Sequence, residues 1–392
     1  MNKWIEVDLN KLEQNVRMLQ DFFSVPVMAV IKQNAYGLGA VEMGLFLESL
    51  GIKQFAVTSV RDGIVLRNGG LRSTILVYAV SYSEESQLAD LWRYKLTPSV
   101  YSLEFAEALN KFATGMGRPI DVHVKVDTGM GRMGFSPAEM LAAAERLKEL
   151  GGLRYGAIFT HYSNAFENSM NYTRLQMDRF MDLVRRLEDR GLVFPVKYSA
   201  NSMAALKFPE THMDMVNIGS AFLGNSVINP EVPLVKIYRC RVRVLQVRTL
   251  EKGSFVGYSN TYRAKRDIRV AVLPIGYSDG FGLQKKIDSF RPLDFLREMY
   301  HLVRVFIKPG GSVFFRGRPL KIIGKTSMQL SVVEIGDLPV QAGDILDVDL
   351  NPLWAGALVE RVYTGADSAV AGMDRMQREA AATTLDDGAY AE

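Results

Sequence analysis

The 392-residue sequence predicts a (β/α)8 TIM barrel in its first part, followed by a β-rich domain. Three observations carry this prediction. Short apolar runs alternate with helix-sized amphipathic stretches from the start to about residue 225. Eight such runs can be counted, each followed by a connection long enough for a helix. Past Asn225 the helical periodicity gives way to alternating apolar and basic residues, divided by Gly and Asp turns. A doubly wound open sheet alternates in the same way, but eight units in about 200 residues match the usual size of a barrel. The boundary is drawn so that residues 1–228 form the barrel and residues 229–392 the β-rich domain.

In chain order, the expected barrel strands are Pro26–Ile31, Gln54–Thr58, Thr74–Ala79, Leu96–Val100, Ile120–Val126, Tyr155–Thr160, Val196–Ser199 and Met213–Ile218. Helices are expected between them. Ala138–Leu150 is entered through the start signal Ser136-Pro137, and Tyr172–Arg190 is a longer example. In the second domain Leu234–Leu250 alternates, and Arg269–Pro274, Val303–Lys308, Ser312–Phe315 and Leu320–Ile323 read as further strands. Turns such as Gly336-Asp337 and Gly343-Asp344 separate the later ones. Gly365–Glu392 loses the pattern and reads as a partly ordered, flexible tail.

Composition narrows the function. The chain is 48% hydrophobic and 23% charged, as in an ordinary globular protein. A net charge of +4 without a dense Lys/Arg block argues against a nucleic-acid partner. Cys240 is the single cysteine, which excludes an internal disulfide and suits a reducing cytoplasm. The four histidines (His123, His161, His212 and His301) lack metal-ligand spacing, so no metal is expected. The first residues lack the apolar core of a signal peptide, and no apolar run approaches a membrane span. The expectation is a cytoplasmic protein without a membrane partner.

Chemistry in a barrel collects where strands end. Lys32 ends the first, in Val27-Met28-Ala29-Val30-Ile31-Lys32-Gln33-Asn34-Ala35-Tyr36-Gly37-Leu38-Gly39. Burying its ammonium group is costly and lowers the pKa, which suits Schiff-base chemistry with an aldehyde. The plain alternative is a surface lysine just past a strand. Other polar groups recur on the same rim: Lys125–Gly134 after the fifth strand, His161 after the sixth, Asn201 and Ser202 after the seventh, and Asn217–Ser220 at the eighth. Taken singly, His161 reads as a satisfied buried histidine and Arg132 as a solvated surface charge. The loops after strands seven and eight commonly hold a phosphate. Ser202, Gly219 and Ser220 suit that task, and Tyr36 can add a phenolic donor.

These motifs resemble the alanine racemase family, in which an apolar strand leads to Lys, two residues, Ala-Tyr-Gly, any residue and Gly. The resemblance implies pyridoxal phosphate as cofactor, held at Lys32, with Tyr36, His161, Asn201, Ser202, Asn217, Gly219 and Ser220 around it. Asp127–Gly134 is similar to the family's Asp-Thr-Gly-Met-Gly-Arg segment, so Arg132 is implied to hold the substrate carboxylate. Lys125 stands where many members carry a carbamate that braces this arginine. An inward barrel lysine paired with an acid is the alternative. Val256–Tyr262 and Ile275–Gly280 resemble the two tyrosine motifs of the second domain. They imply Tyr258 as the second catalytic base, with His161 tuning it, and Tyr277 as a residue lining the substrate's path. Gly324–Met328 looks like the loop whose methionine backbone approaches the substrate. Racemisation needs proton carriers on both faces of a planar carbon, which matches a Lys32 and Tyr258 pair. A homodimer whose active sites join one subunit's barrel to the other's β-rich domain is implied in the same way.

Several residues depart from the family pattern. Asn217 replaces the usual arginine at the pyridine nitrogen, and its amide could donate or accept there. Leu38 stands where a histidine is expected, and Met328-Gln329-Leu330 lacks the family's acid. The stretch from about Lys285 to Pro309 is an unusual insert, and the phosphate-contacting tyrosine near the C-terminus has no recognisable counterpart. The expected activity is racemisation of a small amino acid such as alanine or serine. Two alternatives stand beside it. A related decarboxylase would carry an acid at the pyridine nitrogen and a cysteine–aspartate pair, which Asn217 and Arg239-Cys240-Arg241 oppose. A non-catalytic protein that only binds the cofactor would have the barrel alone.

Overall fold

The computed structural model of the chain describes residues 1–165, 169–225, 228–283, 292–307, 313–356 and 359–365. Its contacts divide these residues into two units, Leu9–Ile237 and the pair of segments Met1–Asp8 and Tyr238–Thr364. The first strand, β1 (Lys3–Asp8), belongs to the second of these.

The barrel follows in strict sequence order. Its strands are β2 (Val27–Val30), β3 (Gln54–Val57), β4 (Thr74–Val77), β5 (Thr97–Val100), β6 (Ile120–Lys125), β7 (Leu153–Phe159), β8 (Val196–Asn201) and β9 (Met215–Ile218). Each pairs in parallel with the next, and β9 closes on β2. Most strands are buried on both faces, which is why they read as continuous apolar runs. Small and large side chains interleave inside: Ala56 and Ala157 leave room for Phe159 and Tyr198, whose rings stack 4.8 Å apart. The helices begin where the sequence signals them. Ser136 caps Pro137–Glu149 in a capping box with Glu139, and Ser59 does the same with Asp62 for Val60–Asn68. Such a cap is worth about 1 kcal/mol.

The β-rich unit contains β10 (Tyr238–Arg243), β11 (Gln246–Leu250), β12 (Phe255–Val256), β13 (Tyr262–Arg263), β14 (Ile268–Leu273), β15 (Val313–Phe315), β16 (Arg318–Ile323), β17 (Ser331–Glu334), β18 (Ile345–Val348) and β19 (Glu360–Thr364). The sheet order is β11-β14-β17-β16-β15-β18-β10-β1-β19, with β12 and β13 as a separate hairpin. β1 lies antiparallel to β10 and parallel to β19, so the N-terminal residues are an inner strand of this sheet.

One expected strand is corrected. Val303–Ile307 is not extended; it forms the last turns of an α-helix over Pro292–Ile307. Val303 and Val305 favour a strand locally, but Phe295, Met299, Leu302 and Val303 recur at helical spacing. Pro292 at the first position and the Leu, Glu, Arg and Met residues within favour the helix. Lys308 and the expected tail beyond Gly365 lie outside the described residues. Among those residues no helix is long and apolar enough to cross a membrane, and no group of three His, Cys, Asp or Glu could hold a metal.

Candidate active site

Lys32 follows β2 directly and is half-buried. Burial lowers its pKa first, and the positive charge of Arg132 lowers it further. The backbone after it is unusual. Gln33, Asn34, Ala35 and Tyr36 all have φ between +51° and +57°, one left-handed turn built from residues with side chains. That conformation costs roughly 1–2 kcal/mol per residue, and strain of this kind gathers at functional sites. The turn is held by Ala35 N–H to Ile31 O, Gly39 N–H to Asn34 O, and Ala40 N–H to Asn34 Oδ1, at 2.8–3.0 Å.

The left-handed turn carries the Tyr36 hydroxyl to the end of β9. A Cβ on Gly219 would stand 2.2 Å from that oxygen, so only glycine fits beneath it. Burial raises the Tyr36 pKa to about 12, which keeps the hydroxyl a proton donor at neutral pH. The backbone N–H groups of Gly219 and Ala221 converge on Ser202 Oγ, at 3.0 and 3.4 Å. Tyr36, Ser202 and Gly219 are therefore brought together. Ser220 opens the next turn and is exposed. Asn201 has a different task on the same rim: its Oδ1 accepts from Met203 and Ala204 N–H and caps the helix Ser202–Lys207. Asn217, on β9, is 6% exposed and its Oδ1 is buried without a hydrogen-bond partner.

Opposite Lys32, the loop after β6 is organised by Asp127. Burial alone would raise this carboxyl, but the backbone N–H groups of Gly129, Arg132, Gly131 and Met130 hold it below its usual value. The loop thereby fixes the start of the Arg132 side chain. Lys125, at the end of β6, is 6% exposed. Burial, then Arg132 and Lys32, bring its pKa down to about 8 against the pull of Asp127. His161 follows β7; burial, then Arg132, Lys125 and Lys32, push its pKa down to about 4, so it is neutral at pH 7. Lys32, Lys125, Arg132 and His161 thus lie within electrostatic reach of one another. The cluster attracts anions and shifts its amines toward the neutral, nucleophilic form.

In the β-rich unit, Tyr258 opens the turn Tyr258–Asn260 after β12, and Tyr277 opens Tyr277–Asp279 after β14. Ser278 donates to Met328 O from both its backbone N–H (3.0 Å) and its hydroxyl (2.7 Å). Gly276 is forced by the same contact, since a Cβ there would meet Ser327 O at 2.2 Å. Gly257, beside Tyr258, packs against the backbone of Lys325 in the same loop. The 324–328 loop therefore joins the two tyrosine turns. Tyr258 (71% exposed), Tyr277 (48%) and Met328 (57%) all present their side chains outward. Beneath them Asp279 is buried, accepts from Gly276 N–H and pairs with Lys3 Nζ at 2.6 Å.

Other contributors are absent from the sequence reading. On the helix Asn171–Glu188, Tyr172 donates to Gly129 O, Gln176 to His161 O, and Arg179 to Thr128 O. Positions 172, 176 and 179 make one polar stripe at helical spacing, which was the available signal. Lys3 gave no signal, because its partner is 276 residues away.

Comparisons with known proteins agree over both units. Residues 7–227 match the family described as alanine racemase, N-terminal domain, and residues 237–352 the one described as alanine racemase, C-terminal domain. The chain is 34% identical over 347 residues to the alanine racemase of Symbiobacterium thermophilum, covering 87% of this chain and 85% of that one. With that of Desulforamulus reducens it shares 29% over 389 residues, 92% of this chain and 99% of the relative. Among solved structures, the alanine racemase of Clostridium difficile 630 matches with a TM-score of 0.82 at 26% identity, covering 93% and 96% of the two chains. The alanine racemase of D-cycloserine-producing Streptomyces lavendulae gives 0.81 at 25%, covering 94% and 99%.

Proposed function

The chain belongs to the alanine racemase family, and from that premise we propose that it is a pyridoxal-phosphate-dependent racemase of a small amino acid, alanine or serine. The single observation that carries the reading is the cluster at the strand ends, where the half-buried Lys32 has its pKa lowered by burial and by Arg132, within electrostatic reach of Lys125. The residues present fit the cofactor. The orphaned Asn217 oxygen is a polar atom awaiting a partner, and Gly219 leaves a backbone cradle under the Tyr36 hydroxyl that a Cβ would fill.

In this reading Lys32 bonds the cofactor, Tyr36, Ser202, Gly219 and Ser220 hold its phosphate, and Asn201 shapes that loop as a helix cap. Asn217 would meet the ring nitrogen with an uncharged amide where the family usually has an arginine. Bound pyridoxal phosphate supplies an electron sink for the charge left when the α-proton departs. The chain supplies the rest. Arg132 would receive the substrate carboxylate in its planar fork, and the Lys32 amine, free once the substrate's own amine has displaced it from the cofactor, would take or return the α-proton on one face. The Tyr258 hydroxyl does the same on the other face, aided by a neutral His161 that can share its proton. Lys125 with its pKa near 8 is a suitable amine for carbamate formation, which would turn a cation that repels Arg132 into an anion that braces it.

We further infer a homodimer with shared active sites, in which the exposed Tyr258, Tyr277 and Met328 of one subunit serve the barrel of the other. The buried Cys240 and the absence of a membrane-spanning helix among the described residues suit a cytoplasmic setting. The test is incubation of the cofactor-loaded protein with each L-amino acid, followed by chiral product analysis. D-alanine or D-serine is the expected product; no inverted product from any amino acid would refute the reading.

A further inference from the structure

We propose that the N-terminal mouth of the barrel, at the end opposite Lys32, is a binding site for a small phosphate-bearing anion. A cavity of about 290 Å³ opens there between the strand starts, beside Gln54 of β3, Thr74 of β4 and Thr97 of β5. That size is at the lower end for ligand pockets and suits a small molecule.

The wall charge is strongly one-sided. Arg67, Arg72 and Lys95 line the cavity against a single carboxylate, Asp121, which already receives two donors from Arg154. The Arg67 guanidinium is fixed by the carbonyls of Tyr94, Leu71, Ser73 and Lys95. Nearby Glu48 is engaged by the backbone N–H groups of Arg72 and Ser73. The side chains of Arg72 and Lys95 are exposed at the mouth, and among the described residues neither makes an ion pair.

An independent observation points inward. His123 is 7% exposed, lines the cavity, and contacts Tyr198 Oη through Nδ1 at 2.9 Å. Tyr198 is fully buried and its hydroxyl has no other hydrogen-bond partner among the described residues, so we assign the hydroxyl as the donor and Nδ1 as the acceptor. The imidazole proton therefore sits on Nε2. Burial, opposed by Asp121, pushes the His123 pKa down to about 4, so the ring stays neutral at pH 7. Among the described residues its ring makes no hydrogen bond besides the one through Nδ1. Gly156 lies beside it on the cavity wall, where a Cβ would be in ordinary contact with Nε2 at 3.6 Å. The Gln54 amide also has a buried oxygen without a partner, an acceptor for the O–H that inorganic phosphate keeps at pH 7.

A phosphate group answers this set. One oxygen accepts from His123 Nε2–H, and the remaining negative charge meets Arg72 and Lys95 at the mouth. A lone carboxylate would neutralise only part of that charge. The site lies at the barrel face that contributes stability rather than chemistry, so its ligand would act by binding the folded state.

The test uses the full chain loaded with pyridoxal phosphate, so that the phosphate loop beside Lys32 is filled, at pH 7 with ionic strength held by sodium chloride. Calorimetric titration with inorganic phosphate should saturate at one phosphate per chain. The double variant Arg72→Gln, Lys95→Gln should weaken it by about tenfold or more. Both side chains are exposed, so the fold should survive, which circular dichroism checks. In the wild type the His123 Nε2 resonance should shift as phosphate is added. Absence of saturable binding, undiminished binding in the double variant, or an unmoved His123 resonance would each overturn the proposal.

Discussion

The rim around Lys32 and the tyrosine turns of the β-rich unit are prepared in opposite ways. At the rim, Lys32 and His161 are half-buried and Lys125 is nearly covered, so reactivity is set by withdrawing charged groups from water and making them repel one another. In the β-rich unit the large side chains of Tyr258, Tyr277 and Met328 stand in solvent, while the backbone under them is tied down carbonyl by carbonyl. The first region tunes protonation. The second holds uncovered side chains on a fixed backbone, which in the proposed function awaits the barrel of a second subunit.

That contrast can be broken by experiment. The largest effect is expected from Lys32→Ala, which should lower racemisation by about 10⁴-fold or more, since in the proposed function it removes a proton carrier and the cofactor bond together. Borohydride treatment of the wild type should attach the cofactor to the peptide containing Lys32. Attachment to another lysine would shift the centre of the rim elsewhere.

Tyr258→Phe should act on one face alone. Loss of α-proton exchange by roughly 10²–10⁴-fold is expected from one enantiomer, with a far smaller change from the other. Equal small losses from both would make Tyr258 a packing residue, and the exposed turn would lose its proposed meaning.

Lys3→Met tests the support beneath Tyr277. It leaves Asp279 buried and charged without its ion-pair partner, so about 3 kcal/mol of stability should be lost in urea unfolding. Retention of full stability would show that the turn is held by its backbone bonds alone.

The smallest effect concerns pH. Below about 8 the Lys125 amine is protonated in folded and unfolded chains alike, and its burial cost is fully present. Between about 8 and 10.5 only the unfolded chain keeps the proton, so stability should rise with pH over that window. Lys32 contributes with the same sign. Lys125→Met should reduce the rise, and so should bicarbonate, because a carbamate no longer titrates as an amine. An unchanged slope with both treatments would detach Lys125 from the rim's electrostatics.

Much of the barrel was legible because each strand is a local apolar run followed by its own helix. The strand over Gln54–Val57 and the helix over Pro137–Glu149 lie within a residue of their expected bounds. The Lys32 run was legible for the same reason, being continuous in sequence. The left-handed turn within it was not, since Gln33, Asn34 and Ala35 carry side chains that disfavour it and only the surrounding bonds enforce it. Long-range pairing was equally hidden. Nothing in Lys3–Asp8 specifies that it joins Tyr238–Arg243, and nothing in Val303–Ile307 alone reveals the helix that starts at Pro292.

The strand Lys3–Asp8 also sets a timetable for biosynthesis. It leaves the ribosome ahead of the whole barrel, yet its antiparallel neighbour begins at Tyr238 and its parallel one at Glu360. At about 5–20 residues per second, the first neighbour follows roughly ten to fifty seconds later, and the second later still. Throughout that interval Ile5 and Val7, both fully buried in the finished sheet, are without their cover. A newborn chain must therefore carry an unpaired apolar strand past the synthesis of the whole barrel. Fusing a bulky tag directly before Met1, or slowing translation between the two units, should cost yield of native protein more than the same change made after the sheet has closed.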